Sequence, residues 1–111
     1  MATHELHAPL GGARGFKAQL AALYGGVPLK LVPVAMPDTK TPAFLASWPA
    51  GKVPVLRTPH GPLFESNAMA RYLAQVNSSS LYPRPPYDKA KAAKAAAIDQ
   101  WIDFSQAEID R

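Results

Sequence analysis

The sequence predicts one α/β sheet domain followed by a separate helix, and two observations carry that prediction. The chain has 111 residues, of which 48% are hydrophobic and 18% charged, so it can form one core and is too apolar for a disordered tail. Twelve prolines and seven glycines divide it into short segments, and the apolar residues within these segments follow strand spacing or helix spacing in turn. The first 77 residues are predicted to form the sheet domain.

The first three segments predict a β-α-β unit. Residues 5–8 fit a brief strand, and residues 29–34 form a second one bounded by prolines. Between them, Gly25 and Gly26 end a helix, because glycine readily adopts left-handed dihedral angles. Four bulky apolar residues share one face of that helix: Phe16, Leu20, Leu23 and Tyr24. A crossover helix of this kind joins parallel strands, so we expect the two strands to pair in parallel.

The next segments complete a thioredoxin-like fold. Thr41 and Pro42 begin a second helix, because threonine caps free amides and proline fits the first helical position; the helix ends near Trp48. Residues 52–56 and 62–65 read as strands joined in a hairpin. A third helix over residues 67–76 carries one apolar stripe, made of Met69, Tyr72, Leu73 and Val76. The predicted order β-α-β-α-β-β-α is that of a thioredoxin-like domain.

The last third of the chain predicts a linker and a long helix. Residues 78–87 are rich in serine and proline and form the linker. Residues 88–111 form a helix whose stripe needs a covering surface, with Phe104 widening it. The stripe consists of Ile98, Trp101, Ile102, Ser105 and Ile109. We expect this helix to be the first of a truncated all-helical second domain.

Composition excludes several function classes. The absence of cysteine excludes a disulfide framework, a zinc ribbon and a thiol nucleophile. The start of the chain does not resemble a secretory signal and no apolar run is long enough for a membrane span, so the expected location is the cytoplasm. The net charge is +4, but the basic residues form no stripe, so no nucleic-acid site is expected. His4 and His7 would face opposite sides of a strand, so no metal site is expected either.

Three stretches of the sequence resemble the glutathione transferase superfamily. They are residues 51–56 (GKVPVL), 64–73 (FESNAMARYL) and 100–105 (QWIDFS), in matching order and spacing. Among its branches the chain is most similar to the amino-terminal domain of the gamma subunit of eukaryotic translation elongation factor 1, of the plant and green-algal type. The likeness covers nearly the whole chain. It implies a transferase-type first helix after the linker.

The resemblance also implies a function and partners. The function is that of a non-catalytic module that scaffolds the elongation factor 1B complex in translation elongation. The implied partners are the nucleotide-exchange subunits of that complex, and a homodimer is a further expectation. No cofactor is implied, although glutathione is an expected ligand. These implications come from the family and not from any interface visible in the sequence.

Two parts of the sequence predict a peptide-binding site. The Val53–Pro54 bond is a candidate cis peptide, which would turn the valine amide and carbonyl towards an extended peptide. Glu65 and Ser66 stand at the start of the third helix, where free amides and a hydroxyl can hold a carboxylate and the glutamate can meet an ammonium. Each residue also has a purely structural interpretation, as a strand edge or a helix cap.

By the resemblance, the peptide is glutathione. Lys40 and Lys52 would then face its glycyl carboxylate as point charges. The predicted binding residues are therefore Lys40, Lys52, Val53, Pro54, Glu65 and Ser66.

No catalytic residue is expected. A transferase stabilises the thiolate of glutathione with a hydroxyl or thiol near the end of the first strand. Between His4 and Leu23 the sequence has no Ser, Thr, Tyr or Cys, and residues 8–13 read APLGGA. The alternative function is a glutathione transferase in which Arg14, His7 or a backbone amide activates the thiol. A third is a small redox or stress protein with the same fold.

Overall fold

A computed structural model of the chain describes residues 3–9, 15–77 and 81–109. The strands are β1 (His4–Ala8), β2 (Leu29–Pro33), β3 (Val55–Thr58) and β4 (Gly61–Leu63); the helices are α1 (Gly15–Gly25), α2 (Pro42–Ser47), α3 (Ser66–Gln75) and α4 (Lys89–Phe104). A 3₁₀ helix over Met36–Lys40 precedes α2, and a π-helical turn over Ser105–Ile109 follows α4. The predicted thioredoxin-like order is confirmed. Within the described ranges, no helix is both long and apolar enough to cross a membrane.

The four strands form one mixed sheet in the order β2-β1-β3-β4. β1 is parallel to β2 and antiparallel to β3, and β3 is antiparallel to β4, so the predicted parallel pair and hairpin are both confirmed. The predicted strand boundaries are partly wrong. β3 begins at Val55 rather than Lys52, and β4 ends at Leu63 rather than Glu65. The residues left outside these strands form the loops that border the candidate site.

Helices cover both faces of the sheet. Leu6 and Leu56 are paired across β1 and β3 and point to the same face, where they pack against α1 and α3. Their partners there include Met69 and Leu73, which are fully buried, so the predicted α3 stripe is confirmed. On the opposite face, Val55 packs against two aromatic residues, Phe44 of α2 and Trp48 just after it. Thr41 caps α2 by accepting a hydrogen bond from the Phe44 amide, as predicted.

The side of α1 that faces the core carries small residues and not the bulky ones. The buried residues of α1 are Gly15, Ala18, Ala22 and Gly25. Gly25 lies against the backbone of Leu73 in α3, where a Cβ atom would collide with the leucine carbonyl. The two helices therefore approach too closely for larger side chains on this side. The bulky face that identified the helix is exposed, and three of its residues, Phe16, Leu20 and Leu23, line an apolar depression of about 640 Å³ together with Leu29 and Leu31 of β2.

Polar contacts hold α4 beside α3. Asp88 caps the helix by accepting a hydrogen bond from the Lys91 amide, and α4 itself has no buried residue. The Arg71 guanidinium on α3 donates to Asp99 Oδ1 at 2.8 Å, and the Tyr82 hydroxyl lies 3.0 Å from both oxygens of the same carboxylate. We call these three residues the Asp99 clasp. Trp101 stays 67% exposed, while Ile98 and Ile102 are half-buried, so the α4 stripe is only partly covered at these positions.

Candidate functional site

A small cleft lies between the loop before β3 and the start of α3. Its volume is about 90 Å³, and it is lined by Ala50, Lys52, Val53, Pro54, Phe64, Glu65, Ser66 and Gln106. Typical small-molecule pockets are roughly 300–1,000 Å³. The cleft is therefore large enough to enclose one end of a peptide, while the rest of the peptide would lie along the surface.

The loop before β3 supplies one wall of this cleft. The Val53–Pro54 peptide bond is cis, as predicted. Pairing between β1 and β3 begins where His7 meets Val55, so Val53 lies outside the strand ladder. A peptide backbone entering the cleft would meet Val53 as a residue that is not already committed to the sheet.

The start of α3 supplies the opposite wall. Glu65 has φ 74° and ψ 113°, and it is the only non-glycine residue with positive φ among the described residues. Such a conformation costs about 1–3 kcal/mol and is found mainly where the surrounding structure has a functional reason to hold it. The Glu65 side chain makes no capping hydrogen bond to α3. Glu65 therefore occupies the N-cap position of α3 without a side-chain cap, and it is one of the residues that line the cleft.

The two predicted lysines have different positions. Lys52 lines the cleft and is exposed, so it is placed to meet a ligand carboxylate. Lys40 does not line the cleft. Its Nζ donates to the Gly51 carbonyl at 3.0 Å, and a Cβ at Gly51 would come within 2.9 Å of that Nζ. Lys40 therefore fastens the loop that carries Lys52, and Gly51, with φ 62°, gives the lysine room.

One residue of the cleft was missed by the sequence interpretation. Gln106 lies on the π-helical turn after α4 and lines the cleft opposite the β3 loop. No periodicity or charge pattern singles it out. The only available signal was its position one residue beyond the QWIDFS stretch. Asn67 of α3 donates to its Oε1 at 3.3 Å.

The end of β1 presents no thiol-activating side chain among the described residues. Ala8 ends the strand and Pro9 follows it. His7 is engaged elsewhere: its Nε2 lies 3.0 Å from Glu5 Oε1, and its ring is 5.2 Å from that of Trp48. Arg14 lies outside the described residues. Within the described ranges, no group of three His, Asp or Glu side chains is arranged to hold a metal ion.

Three titratable groups are perturbed by their surroundings. Burial and the nearby charge of His60 lower the pKa of His4, whose Nε2 lies 2.8 Å from the Tyr72 hydroxyl. In the Asp99 clasp, burial and then the hydrogen bond to Asp99 raise the pKa of the Tyr82 hydroxyl. Burial disfavours the charge of Arg71, but the hydrogen bond and charge of Asp99 outweigh it and raise the pKa of Arg71 above its ordinary value. None of these three groups lines the cleft.

The sheet, the cis proline and the start of α3 together define a known class of domain. Residues 11–80 match the family model of the glutathione S-transferase N-terminal domain, so the chain belongs to that family. The theta class glutathione S-transferase of Xanthomonas axonopodis pv. citri, solved with glutathione bound, superimposes with a TM-score of 0.81 at 30% identity. The match covers 99% of this chain and 51% of the transferase.

Relatives of known name show which members of the family this chain is similar to. The chain is 44% identical over 107 residues to elongation factor 1-gamma 2 of Oryza sativa subsp. japonica, covering 95% of this chain and 24% of that protein. It is 40% identical over 108 residues to a glutathione S-transferase-like protein, LUC7, of a Fusarium species, covering 94% of this chain and 47% of that protein. The similarity to plant elongation factor 1-gamma predicted from the sequence is thus confirmed. The chain spans about a quarter of the length of these elongation factors.

Proposed function

We propose that this chain is a non-catalytic, glutathione-transferase-like module of the elongation factor 1-gamma type, which scaffolds the elongation factor 1B complex in translation elongation. Its cleft binds the γ-glutamyl end of glutathione without activating the thiol. Its partners are the nucleotide-exchange subunits of the complex, and its setting is the cytoplasm. The observation that carries the proposal is a cleft lined by charged and polar groups that suit a peptide, in a chain whose residues 8–13 contain no hydroxyl or thiol.

The binding half of the proposal is supported by the chemistry of the cleft walls. A γ-glutamyl group carries both an ammonium and a carboxylate at one end. Glu65 offers a carboxylate to the ammonium, while Ser66 and the amino terminus of α3 offer donors to the carboxylate. Lys52 offers a positive charge to the far carboxylate of the peptide. Lys40 supports this indirectly, because it fastens the loop at Gly51.

The non-catalytic half is supported by the end of β1. A thiol is mostly protonated at neutral pH, so a transferase needs a donor aimed at the sulfur to lower the thiol pKa. Neither Ala8 nor Pro9 can donate from a side chain, and Pro9 also lacks a backbone N–H. The segment that follows, LGGA, offers no side-chain donor. The thiol of glutathione held in the cleft would therefore stay protonated.

The translation context is supported by the relatives. Several plant elongation factor 1-gamma proteins are about 44% identical to this chain over nearly its whole length. The Fusarium transferase-like protein is 40% identical over a similar length, and it favours the second candidate, a glutathione transferase. The two candidates differ in whether bound glutathione is turned over.

Two measurements on the purified chain separate these candidates. Glutathione affinity is measured by calorimetry, and conjugation is followed with chlorodinitrobenzene as the acceptor. We expect binding without turnover, together with co-purification of the nucleotide-exchange subunit of the elongation factor 1B complex when the two are co-expressed. A matched variant, Glu65→Gln, should weaken glutathione binding because the ammonium loses its partner, and should leave co-purification unchanged.

Turnover would contradict the proposal. If the chain conjugates glutathione and Arg14→Ala abolishes conjugation while binding persists, Arg14 activates the thiol and the transferase candidate is correct. If glutathione does not bind, the binding half of the proposal is wrong, and if the exchange subunit does not co-purify, the scaffolding role is wrong.

A further inference from the structure

Three polar side chains form a continuous hydrogen-bonded chain that ends at the cleft. Lys17 of α1 donates from Nζ to Asn67 Oδ1 at 3.0 Å, and Asn67 of α3 donates from Nδ2 to Gln106 Oε1 at 3.3 Å. Gln106 lines the cleft beside Glu65 and Ser66. The three residues come from three separate helical segments, so this series of hydrogen bonds connects α1 and α3 to the π-helical turn.

The lysine charge fixes the orientation of both amides. An ammonium group has only donors, so Asn67 must turn its oxygen towards Lys17. The asparagine NH₂ group then faces Gln106, which must accept with its own oxygen. With Oε1 held in this way, the atom that Gln106 has left for a ligand is Nε2, which is a donor. Each hydrogen bond also polarises the next and strengthens it.

The π-helical turn brings this donor to the cleft. Here the turn runs over Ser105–Ile109 and carries Gln106. The neighbouring wall contains Ser66 and the start of α3, which favour a negatively charged group. Gln106 lies next to this start of α3, and its amide donor suits the same carboxylate.

We propose that Gln106 is a further ligand-contacting residue, donating a hydrogen bond from Nε2 to the α-carboxylate of a bound γ-glutamyl group. Lys17 and Asn67 are positioning residues that keep this donor turned towards the ligand. The inference rests on the proposed binding of glutathione. It adds a specificity determinant from the far side of the linker to a site otherwise built by the sheet domain.

The test compares three ligands on the full chain by calorimetric titration. The first is glutathione, and the second is its analogue with a butyryl group in place of γ-glutamyl, which lacks both the carboxylate and the ammonium. A third ligand, with the ammonium kept and the carboxylate reduced to an alcohol, isolates the carboxylate contribution. Loss of one hydrogen bond to a charged group should reduce the preference for glutathione over this alcohol roughly ten-fold in Gln106→Ala. Gln106→Glu should reduce it further, because its carboxylate repels that of the ligand.

The substitution Asn67→Asp tests whether the hydrogen bonds from Lys17 through Asn67 set the orientation of the Gln106 amide. The new carboxylate still pairs with Lys17 but can only accept hydrogen bonds, so Gln106 must turn its NH₂ group towards it and present Oε1 to the ligand. Glutathione preference should therefore fall as far as in Gln106→Ala, and adding Gln106→Ala should reduce it no further. Gln100→Ala is the matched control, because Gln100 is an exposed glutamine on α4 outside the cleft lining.

The outcomes separate this inference from the proposed function. One outcome is that the unsubstituted chain binds glutathione and every variant keeps the same preference for glutathione over the alcohol. Gln106 then makes no ligand contact, and the inference alone is wrong. If Asn67→Asp keeps the full preference while Gln106→Ala loses it, the positioning role of Asn67 is wrong. If the unsubstituted chain does not bind glutathione, the proposed ligand is wrong and the inference fails with it.

Discussion

The Asp99 clasp should determine whether α4 stays docked on the sheet domain. Removing the carboxylate in Asp99→Ala leaves the Arg71 guanidinium and the Tyr82 hydroxyl without their shared acceptor. Asp103 lies one turn further along α4 and contacts the same guanidinium at 3.4 Å. Asp103→Ala is therefore a matched control, with the same substitution in the same helix and the same gain in helix propensity.

The expected difference between the two variants follows from exposure and hydrogen bonding. The Asp99 side chain is 33% exposed and accepts from two residues, whereas the Asp103 side chain is 76% exposed and accepts from one. Hydrogen bonds to charged groups contribute about 1.5–3 kcal/mol, so after allowing for partial exposure we expect Asp99→Ala to cost about 2 kcal/mol. An exposed pair such as that of Asp103 contributes roughly 0–0.5 kcal/mol.

Hydrogen exchange of the α4 backbone amides measures this difference directly. A cost of about 2 kcal/mol corresponds to an opening equilibrium roughly 30-fold larger, so amides of Lys89–Phe104 should exchange correspondingly faster in Asp99→Ala. Amides of β1 and β3 should be little affected, since the sheet has its own core. The reasoning is refuted if Asp103→Ala accelerates exchange as much as Asp99→Ala, or if neither substitution changes it.

Three further predictions concern the sheet domain. Gly25→Ala should cost about 2 kcal/mol by overpacking against the Leu73 carbonyl, and a thermal midpoint equal to that of the parent chain would contradict the close approach of α1 to α3. Met69→Ala, at a fully buried position, should cost about 3 kcal/mol in urea unfolding, and a cost below about 1 kcal/mol would mean that the site is not tightly packed. Because the pKa of His4 is lowered in the folded state, the unfolded chain binds a proton more tightly and stability should fall as the pH drops below about 6.5; His4→Gln should flatten that fall between about pH 7.5 and 5.5, and an unchanged pH profile would show that His4 is not its source.

The backbone plan was predictable from the sequence because its signals are local. Thr41 and Pro42 begin α2 by chemistry contained in two adjacent residues, and the Met69 and Leu73 spacing identifies both α3 and the face that it buries. The strand pairing follows from the crossover helix and the hairpin turn. In each case the signal lies within one short segment or in the connection between two consecutive strands.

The orientation of α1 was not predictable in the same way. A stripe of bulky apolar residues usually marks the buried face, but here the glycine and alanine side is buried because α3 lies so close. That closeness depends on Gly25 meeting the backbone of Leu73, which is 48 positions away in the chain. The spacing of residues within one helix contains no information about such a neighbour.

In the candidate site, too, some residues could be identified from local sequence and others depend on contacts between distant segments. Val53, Pro54, Glu65 and Ser66 could be identified because they lie in short stretches with a recognisable pattern, and the structure brings them together with Lys52. Gln106 could not, because its place in the cleft depends on a π-helical turn and on how α4 docks. Lys40 was expected at the ligand, and in the structure its Nζ donates to the Gly51 carbonyl beside Lys52, a contact that residue type alone does not specify.

The contribution of Gln106 means that the boundary between the sheet domain and the helical segment passes through the cleft. Exchanging the helical segment for that of a homologue would therefore replace part of the recognition surface as well as the scaffold. Chimeras divided in the linker should change in ligand selectivity even when every residue of the sheet domain is retained. A design that aims to transplant the binding properties intact has to carry the chain as far as the turn at Ser105–Ile109.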